Sequence, residues 1–400
     1  MILDFHNTSE KFKFALLLTT LQRLSNNCVH IITHFATCSA AFNHPSTQSP
    51  RLRKGREAPT TLWSKSIMTA REETTKQKPK FTPRLLPVVV DQIAASEPEQ
   101  PYLYQPKSNR LEDGWAPVTF GELANAINHV AHLVQATVKT ESKDTFPTLV
   151  YVGPNDVRTN IVLLAAVKAG CQAFFISPRN TPEMQRSLLQ HTNCKHVWYA
   201  ESLSAAVQTW TQGQAVSCWQ VPEETEWLRA QTTPFPYTKT FGEARFDPLV
   251  VLHTSGSTGV PKPIVMRQGA VAVHDDHRVN LAPLCGGEYI WNFCSSHATR
   301  MLSVFPPFHA GGVLTSLISP IYFKLPLALT PRDQPLTAEL GLECLKHSGS
   351  DAAFIPPSIL EELTTWEEGL NALGKLNYVT FGGGTGLARQ LSSPGKGIER

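Results

Sequence analysis

The run His253-Thr254-Ser255-Gly256-Ser257-Thr258-Gly259-Val260-Pro261-Lys262-Pro263 gathers hydroxyls, glycines and one lysine into a single turn. Glycines let a backbone approach a ligand closely and turn its N–H groups inward as an anion-binding nest. Ser and Thr hydroxyls add neutral donors, and Lys262 adds a point charge suited to phosphate. A loop built from Thr254, Ser255, Gly256, Ser257, Thr258, Gly259 and Lys262 therefore reads as a holder of polyphosphate, with Lys262 as the candidate catalytic cation. It is not the widespread nucleoside-triphosphatase loop. That pattern needs Gly-Lys-Ser/Thr in succession, whereas prolines flank Lys262 on both sides.

Two further runs could shape a ligand site. In Val304-Phe305-Pro306-Pro307-Phe308-His309-Ala310-Gly311-Gly312, the paired glycines would let a ligand lie against backbone. His309 could donate to a carboxylate or stack on a ring. The run Tyr378-Val379-Thr380-Phe381-Gly382-Gly383-Gly384 is an apolar strand ending in glycines, and doubly wound sheets bind ligands at the carboxyl ends of strands. His274-Asp275-Asp276-His277 places two histidines on one helix face, but no third metal ligand is identifiable, so no metal site is assigned. There is no Gly-x-Ser-x-Gly elbow for a serine hydrolase and no Gly-x-Gly-x-x-Gly fingerprint for a nicotinamide domain.

The Thr-Ser-Gly-Ser-Thr-Gly-x-Pro-Lys run resembles the phosphate loop of the adenylate-forming superfamily: acyl-CoA synthetases, luciferases and nonribosomal-peptide adenylation domains. His253, where many members carry an aromatic residue, and Pro263, where many carry glycine, are similar to the fungal nonribosomal-peptide-synthetase-like group that includes carboxylic acid reductases. The resemblance covers about residues 81–388. It implies ATP-dependent adenylation of a carboxylic acid, forming an acyl-AMP and releasing pyrophosphate, with Mg²⁺ accompanying ATP. It also implies that Phe308, His309, Gly311 and Gly312 line the acid pocket. Gly382, Gly383 and Gly384 would contact substrate and adenine, although Thr385-Gly386-Leu387 replaces the proline usual after them. Phe174-Phe175-Ile176-Ser177-Pro178-Arg179-Asn180 also resembles the fungal group, and there it reads as structural, with Arg179 on a solvated turn.

Superfamily members continue with a Tyr-Gly-x-Thr-Glu segment, a Thr-Gly-Asp segment and a lid domain bearing a lysine. None has a counterpart before Arg400. The expected fold is thus the large N-terminal domain of an adenylate-forming enzyme without its C-terminal lid. Carrier and reductase domains, the former bearing phosphopantetheine, would lie elsewhere. The alternative is a truncated, catalytically inert nucleotide-binding fragment.

These motifs need elements to hold them. Thr119-Phe120-Gly121-Glu122 is a capping box, and Leu123, Ile127, Val130 and Val134 follow on one helical face. A strand at 148–152, a helix at 157–169 stopped by Gly170, a strand at 173–176, a helix from Thr181-Pro182 and a strand at 196–199 come next. Strands at 249–252, 326–329, 352–355 and 378–381 repeat the alternation, with a helix carrying His274 to His277 expected after the phosphate loop. Strands alternating with helices predict an α/β fold with two doubly wound, mostly parallel lobes. Residues 68–247 would form the first lobe, with 200–247 as a connector, and 248–388 the second; 389–400 read as a disordered tail.

Composition excludes several classes. The formal net charge of +3 is dispersed and not interleaved with stacking aromatics, so nucleic-acid binding is not expected. No apolar run is long enough to span a bilayer. The eight cysteines include no Cys-x-x-Cys pair, which points to reduced thiols in a cytoplasmic enzyme. Residues 1–67 are basic and acid-poor, as in a transit peptide, but the favoured expectation is a non-core extension that is disordered or not native.

Overall fold

Alternation of period two along the strands sets the layers. In the strand Thr148–Val152, Leu149 and Tyr151 pack into one core, whereas Val150 and Val152 pack into another on the opposite face. That is the pattern of a sheet covered on both sides. The computed structural model describes residues 81–138, 145–254, 261–281, 289–332 and 334–382, together with the backbone of 30–32.

The strands are β1 (His30–Ile32), β2 (Pro101–Pro106), β3 (Trp115–Thr119), β4 (Thr148–Val152), β5 (Gln172–Phe175), β6 (His196–Ala200), β7 (Ser217–Val221), β8 (Pro248–His253), β9 (Pro263–Arg267), β10 (Met301–Ser303), β11 (Leu327–Leu329), β12 (Ala352–Ile355) and β13 (Tyr378–Phe381). The helices are α1 (Leu86–Ser96), α2 (Phe120–Thr137), α3 (Arg158–Lys168), α4 (Pro182–His191), α5 (Ser204–Thr211), α6 (Glu224–Leu228), α7 (Phe241–Ala244), α8 (Gln268–Asp276), α9 (Ile290–His297), α10 (Ala310–Phe323), α11 (Ala338–His347), α12 (Pro357–Leu363) and α13 (Glu367–Leu373).

One sheet runs β1-β13-β12-β10-β11-β2-β3 and the other β7-β6-β4-β5-β8-β9. Both are parallel except for one antiparallel pair each, β2–β3 and β8–β9. A single core contains α1, α2, α3 and α10 together with one face of each sheet. Helices α4 and α5 cover the far face of the second sheet, and α11, α12 and α13 that of the first. The result is five layers, α/β/α/β/α, and α3 in the middle layer is buried on every side.

Local signals act as expected at several element ends. Thr119 and Glu122 close both bonds of the capping box at α2, and Thr181 caps α4 with Pro182 in its first turn. Gly170, at φ 75°, ends the α3 region in a left-handed conformation that costs glycine little.

Four features depart from the sequence reading. The strands cross the expected boundary at 247: β8 and β9 join the sheet of the first lobe, while β2 and β3 join that of the second. The connector supplies β7 to a sheet edge, where mostly exposed residues leave no apolar alternation to read. An antiparallel strand, β9, stands between the phosphate loop and the expected helix, α8; its β-branched Ile264 and Val265 suit an extended backbone. Upstream of Met68, β1 pairs in parallel with β13 at the edge of the first sheet.

Candidate functional site

The phosphate loop hangs between two antiparallel strands. Leu252 stands opposite Ile264 and His253 opposite Pro263. Beyond them, Thr254 N–H donates to the Lys262 carbonyl at 3.0 Å, and Lys262 N–H donates to Thr254 Oγ1 at 3.2 Å. These bonds close the neck of a hairpin. The Lys262 side chain is exposed, and among the described residues its ammonium takes part in no hydrogen bond or ion pair. Ser255, Gly256, Ser257, Thr258 and Gly259 lie outside the described residues.

Beside the hairpin neck, a cleft of about 200 Å³ lies at the carboxyl ends of strands from both sheets. Gly153, Pro154 and Asn155 follow β4, Pro178 and Arg179 follow β5, and Ser202 and Leu203 follow β6. Across from them stand Pro306, Pro307 and Phe308 after β10 and Thr330, Pro331 and Arg332 after β11. Parallel strands direct their C-terminal loops to one end, which is where open α/β sheets place ligands.

Three nitrogen-bearing side chains converge near this lip. His309 has its pKa lowered by desolvation first, and then by the neighbouring His253 and the positive charge of Arg179. Because His309 stays exposed at the surface, the Arg179 charge is the sturdier cause. Among the described residues the Arg179 guanidinium has no ion-pair partner. Phe308 lines the cleft, and its ring centroid lies 4.9 Å from that of His309.

Gly311 and Gly312 need a different explanation from the one their sequence suggested. They lie in the first turn of α10, and a Cβ on Gly311 would stand 2.9 Å from the Phe305 ring. A Cβ on Gly312 would stand 2.2 Å from the Pro306 carbonyl oxygen. The space left by the missing side chains is filled by the chain itself, which turns sharply into α10. Gly382 follows β13, while Gly383 and Gly384 lie outside the described residues.

A polar network that spacing along the chain did not reveal joins the sheets at the cleft. Asn155 donates to Thr330 Oγ1 at 2.9 Å. Arg332 reaches Glu223 at 3.0 Å, pairs with Glu224, and approaches Asp156 at 3.8 Å. Asp156 in turn grips Arg158, both about 1% exposed. Burial opposes the Arg158 charge, but Asp156 more than offsets it, so the Arg158 pKa is raised. The partners come from loops more than a hundred residues apart, and no local motif marks them.

The His-Asp-Asp-His run is used structurally. Asp275 accepts from Arg84 at 2.9 Å and from Arg278 at 3.1 Å, Asp276 accepts from Asn280, and His274 bonds the Tyr289 hydroxyl. Among the described residues, no group of three or more His, Cys, Asp or Glu could hold a metal ion.

Comparison with known proteins decides the family. The description "AMP-binding enzyme" matches residues 90–393. The chain belongs to the AMP-binding enzyme family. It is 40% identical over 310 residues to a carboxylic acid reductase of Neurospora crassa, covering 77% of this chain and 29% of that protein. Against the isocyanide synthase-NRPS hybrid crmA of Aspergillus fumigatus, identity is 30% over 349 residues, covering 86% of this chain and 22% of the other. This AMP-binding chain thus spans less than a third of the length of these relatives. Its fold matches the inhibitor-bound N-terminal domain of FACL13 from Mycobacterium tuberculosis, with TM-score 0.59, 18% identity, and coverage of 76% of this chain and 72% of that one. The Klebsiella oxytoca NpsA N-terminal subdomain in complex with anthranilyl-AMSN gives a TM-score of 0.56 at 14% identity, covering 76% and 68%. Both matches are to N-terminal portions of those proteins.

Proposed function

We propose that this chain is the front part of an enzyme that adenylates a carboxylic acid, forming acyl-AMP and releasing pyrophosphate. The observation that carries the proposal is the hairpin neck closed by Thr254 and Lys262, which His253 joins at Ser177 to the turn whose Pro178 and Arg179 line a cleft at the carboxyl ends of both sheets. The residue types of the run fit ATP: hydroxyls, glycine backbone N–H groups and one cation are the chemistry that polyphosphate requires. Mg²⁺, entering on the phosphates, would add neutralising charge.

In the reaction, a substrate carboxylate attacks the α-phosphate and the bond to the β-phosphate breaks. The chain's own part is positioning and charge neutralisation. Lys262 would sit against the leaving phosphates, and the His309–Phe308 wall would border the acid. The names of two relatives, a carboxylic acid reductase and an adenylate-forming reductase, support a later reduction of the acyl group. Passage through a phosphopantetheine thiol on a carrier domain, within secondary metabolism, is part of the same proposal. The relatives do not name the acid.

ATP–pyrophosphate exchange across a panel of aromatic, α-keto and fatty acids tests this. At least one acid should support exchange, and Lys262→Ala should lower it roughly 10²–10³-fold, the usual cost of one aimed donor. Nucleotide binding without exchange for any acid would favour the alternative, an inert nucleotide-binding fragment. An unchanged rate in Lys262→Ala would sink the assignment of the hairpin.

A further inference from the structure

The histidine that opens the hairpin is bonded on both sides of its ring. His253 Nε2 lies 3.0 Å from the Ser177 backbone nitrogen and 3.4 Å from Asn180 Nδ2, while Nδ1 lies 3.0 Å from the Thr254 carbonyl oxygen. These partners determine where the ring proton sits. A backbone N–H can only donate, so Nε2 must be bare; a carbonyl can only accept, so Nδ1 carries the hydrogen. His253 is therefore the neutral Nδ1–H tautomer, assigned here from its partners.

The two partners belong to different segments. Thr254 begins the hairpin neck that ends at Lys262. Ser177 begins the turn after β5, and that turn is closed on itself: Asn180 N–H donates to Ser177 O at 3.2 Å and Arg179 N–H to Ser177 Oγ at 3.3 Å. Gln185 Nε2 adds a third bond, to Ser177 O at 2.8 Å. Ser177 is buried, so its N–H depends on His253 for a partner. A phenyl ring in place of the imidazole would fill the volume beside Phe174 but could accept nothing.

We propose that His253 is a positioning residue for the nucleotide. Its ring joins the phosphate hairpin to the Ser177–Asn180 turn, so that Lys262 and Arg179 are presented to the ligand as one unit. This rests on the reading of the hairpin as a polyphosphate site. The sequence reading treated the Phe174–Asn180 run and the hairpin as separate; here the first is the abutment of the second.

The test is calorimetric titration of the intact chain with ATP and Mg²⁺, each variant being paired with its thermal melting curve. His253→Phe keeps a ring without an acceptor. His253→Asn keeps a polar group too short to reach Ser177. His253→Gln places an oxygen where Nε2 stands. The first two should weaken ATP binding about tenfold, because a buried donor loses its partner and the neck loses its anchor, and His253→Gln should stay within about threefold of the parent. If His253→Phe proves unfolded, His253→Asn carries the comparison. A folded His253→Asn or His253→Phe that binds ATP as the parent does overturns the proposal, as does a folded His253→Gln that is as weak as His253→Asn. Lys262→Ala is the control for the underlying reading. If the parent fails to bind ATP, or Lys262→Ala binds equally well, the polyphosphate site falls and takes the positioning role with it.

Discussion

One methyl group is enough to probe the start of α10. Ala is favoured over Gly inside a helix by about 1 kcal/mol, so propensity alone makes Gly312→Ala stabilising. Against this stands the Pro306 carbonyl oxygen, 2.2 Å from where the Cβ would be. The obstacle is backbone, which cannot rotate away, and overpacking typically costs about 1–3 kcal/mol. The clash should win, and chemical denaturation of Gly312→Ala should show a net loss of stability. His274 gives a second residue-scale outcome. Burial, followed by the nearby His277, lowers its pKa to about 4 from 6.5. The folded value lies below the unfolded one, so the unfolded chain binds the extra proton first on acidification. Stability is therefore full above about pH 6.5 and falls as pH drops toward 4, by on the order of 3 kcal/mol from this group. In His274→Gln the fall across that window should be shallower by a comparable amount when denaturation midpoints are compared at each pH.

At the scale of elements, what could be read depended on whether the signal was local. The Thr119–Glu122 box, Gly170 after α3 and the Thr181-Pro182 start each satisfy a backbone need within a few residues, so the chain states them directly. Thr119→Ala removes one of the two box bonds and should cost about 1 kcal/mol, seen as a lower denaturant midpoint with an unchanged slope, while Thr119→Ser should cost little. Strand β10 is only three residues long, and β7 and β9 sit on edges where one or both faces meet water. Their burial is decided by neighbours distant in sequence, so no periodicity announces them. The same division runs through the candidate site. Lys262, Thr254, Phe308 and His309 stand in recognisable runs, whereas Asn155, Thr330 and Arg332 become neighbours only once the two sheets have packed.

That packing is the property of the whole molecule most open to test, because few polar contacts bridge the cleft. Arg332, on the loop after β11, meets Glu223, just before α6, and Glu224, the first residue of α6. The Glu224 side chain is only 6% exposed; Oε1 pairs with Arg332, and the buried Oε2 has no hydrogen-bond partner among the described residues. Arg332→Ala would strand a carboxylate away from water, and breaking a buried pair from one side typically costs about 3–5 kcal/mol. Arg332 itself is 30% exposed, so water screens part of this and about 2 kcal/mol is the sounder figure. Arg332→Lys keeps the charge but not the planar fork that spans Glu223 and Glu224 together, and should recover only part of the loss. Replacing Arg332 and Glu224 together, as Arg332→Met with Glu224→Gln, removes the stranded charge and should be less destabilising than Arg332→Ala alone. Urea denaturation of the three variants tests this ordering. A double variant as unstable as Arg332→Ala would mean that the buried carboxylate is not the source of the cost, and that Arg332 supports the cleft through the packing of its aliphatic stem.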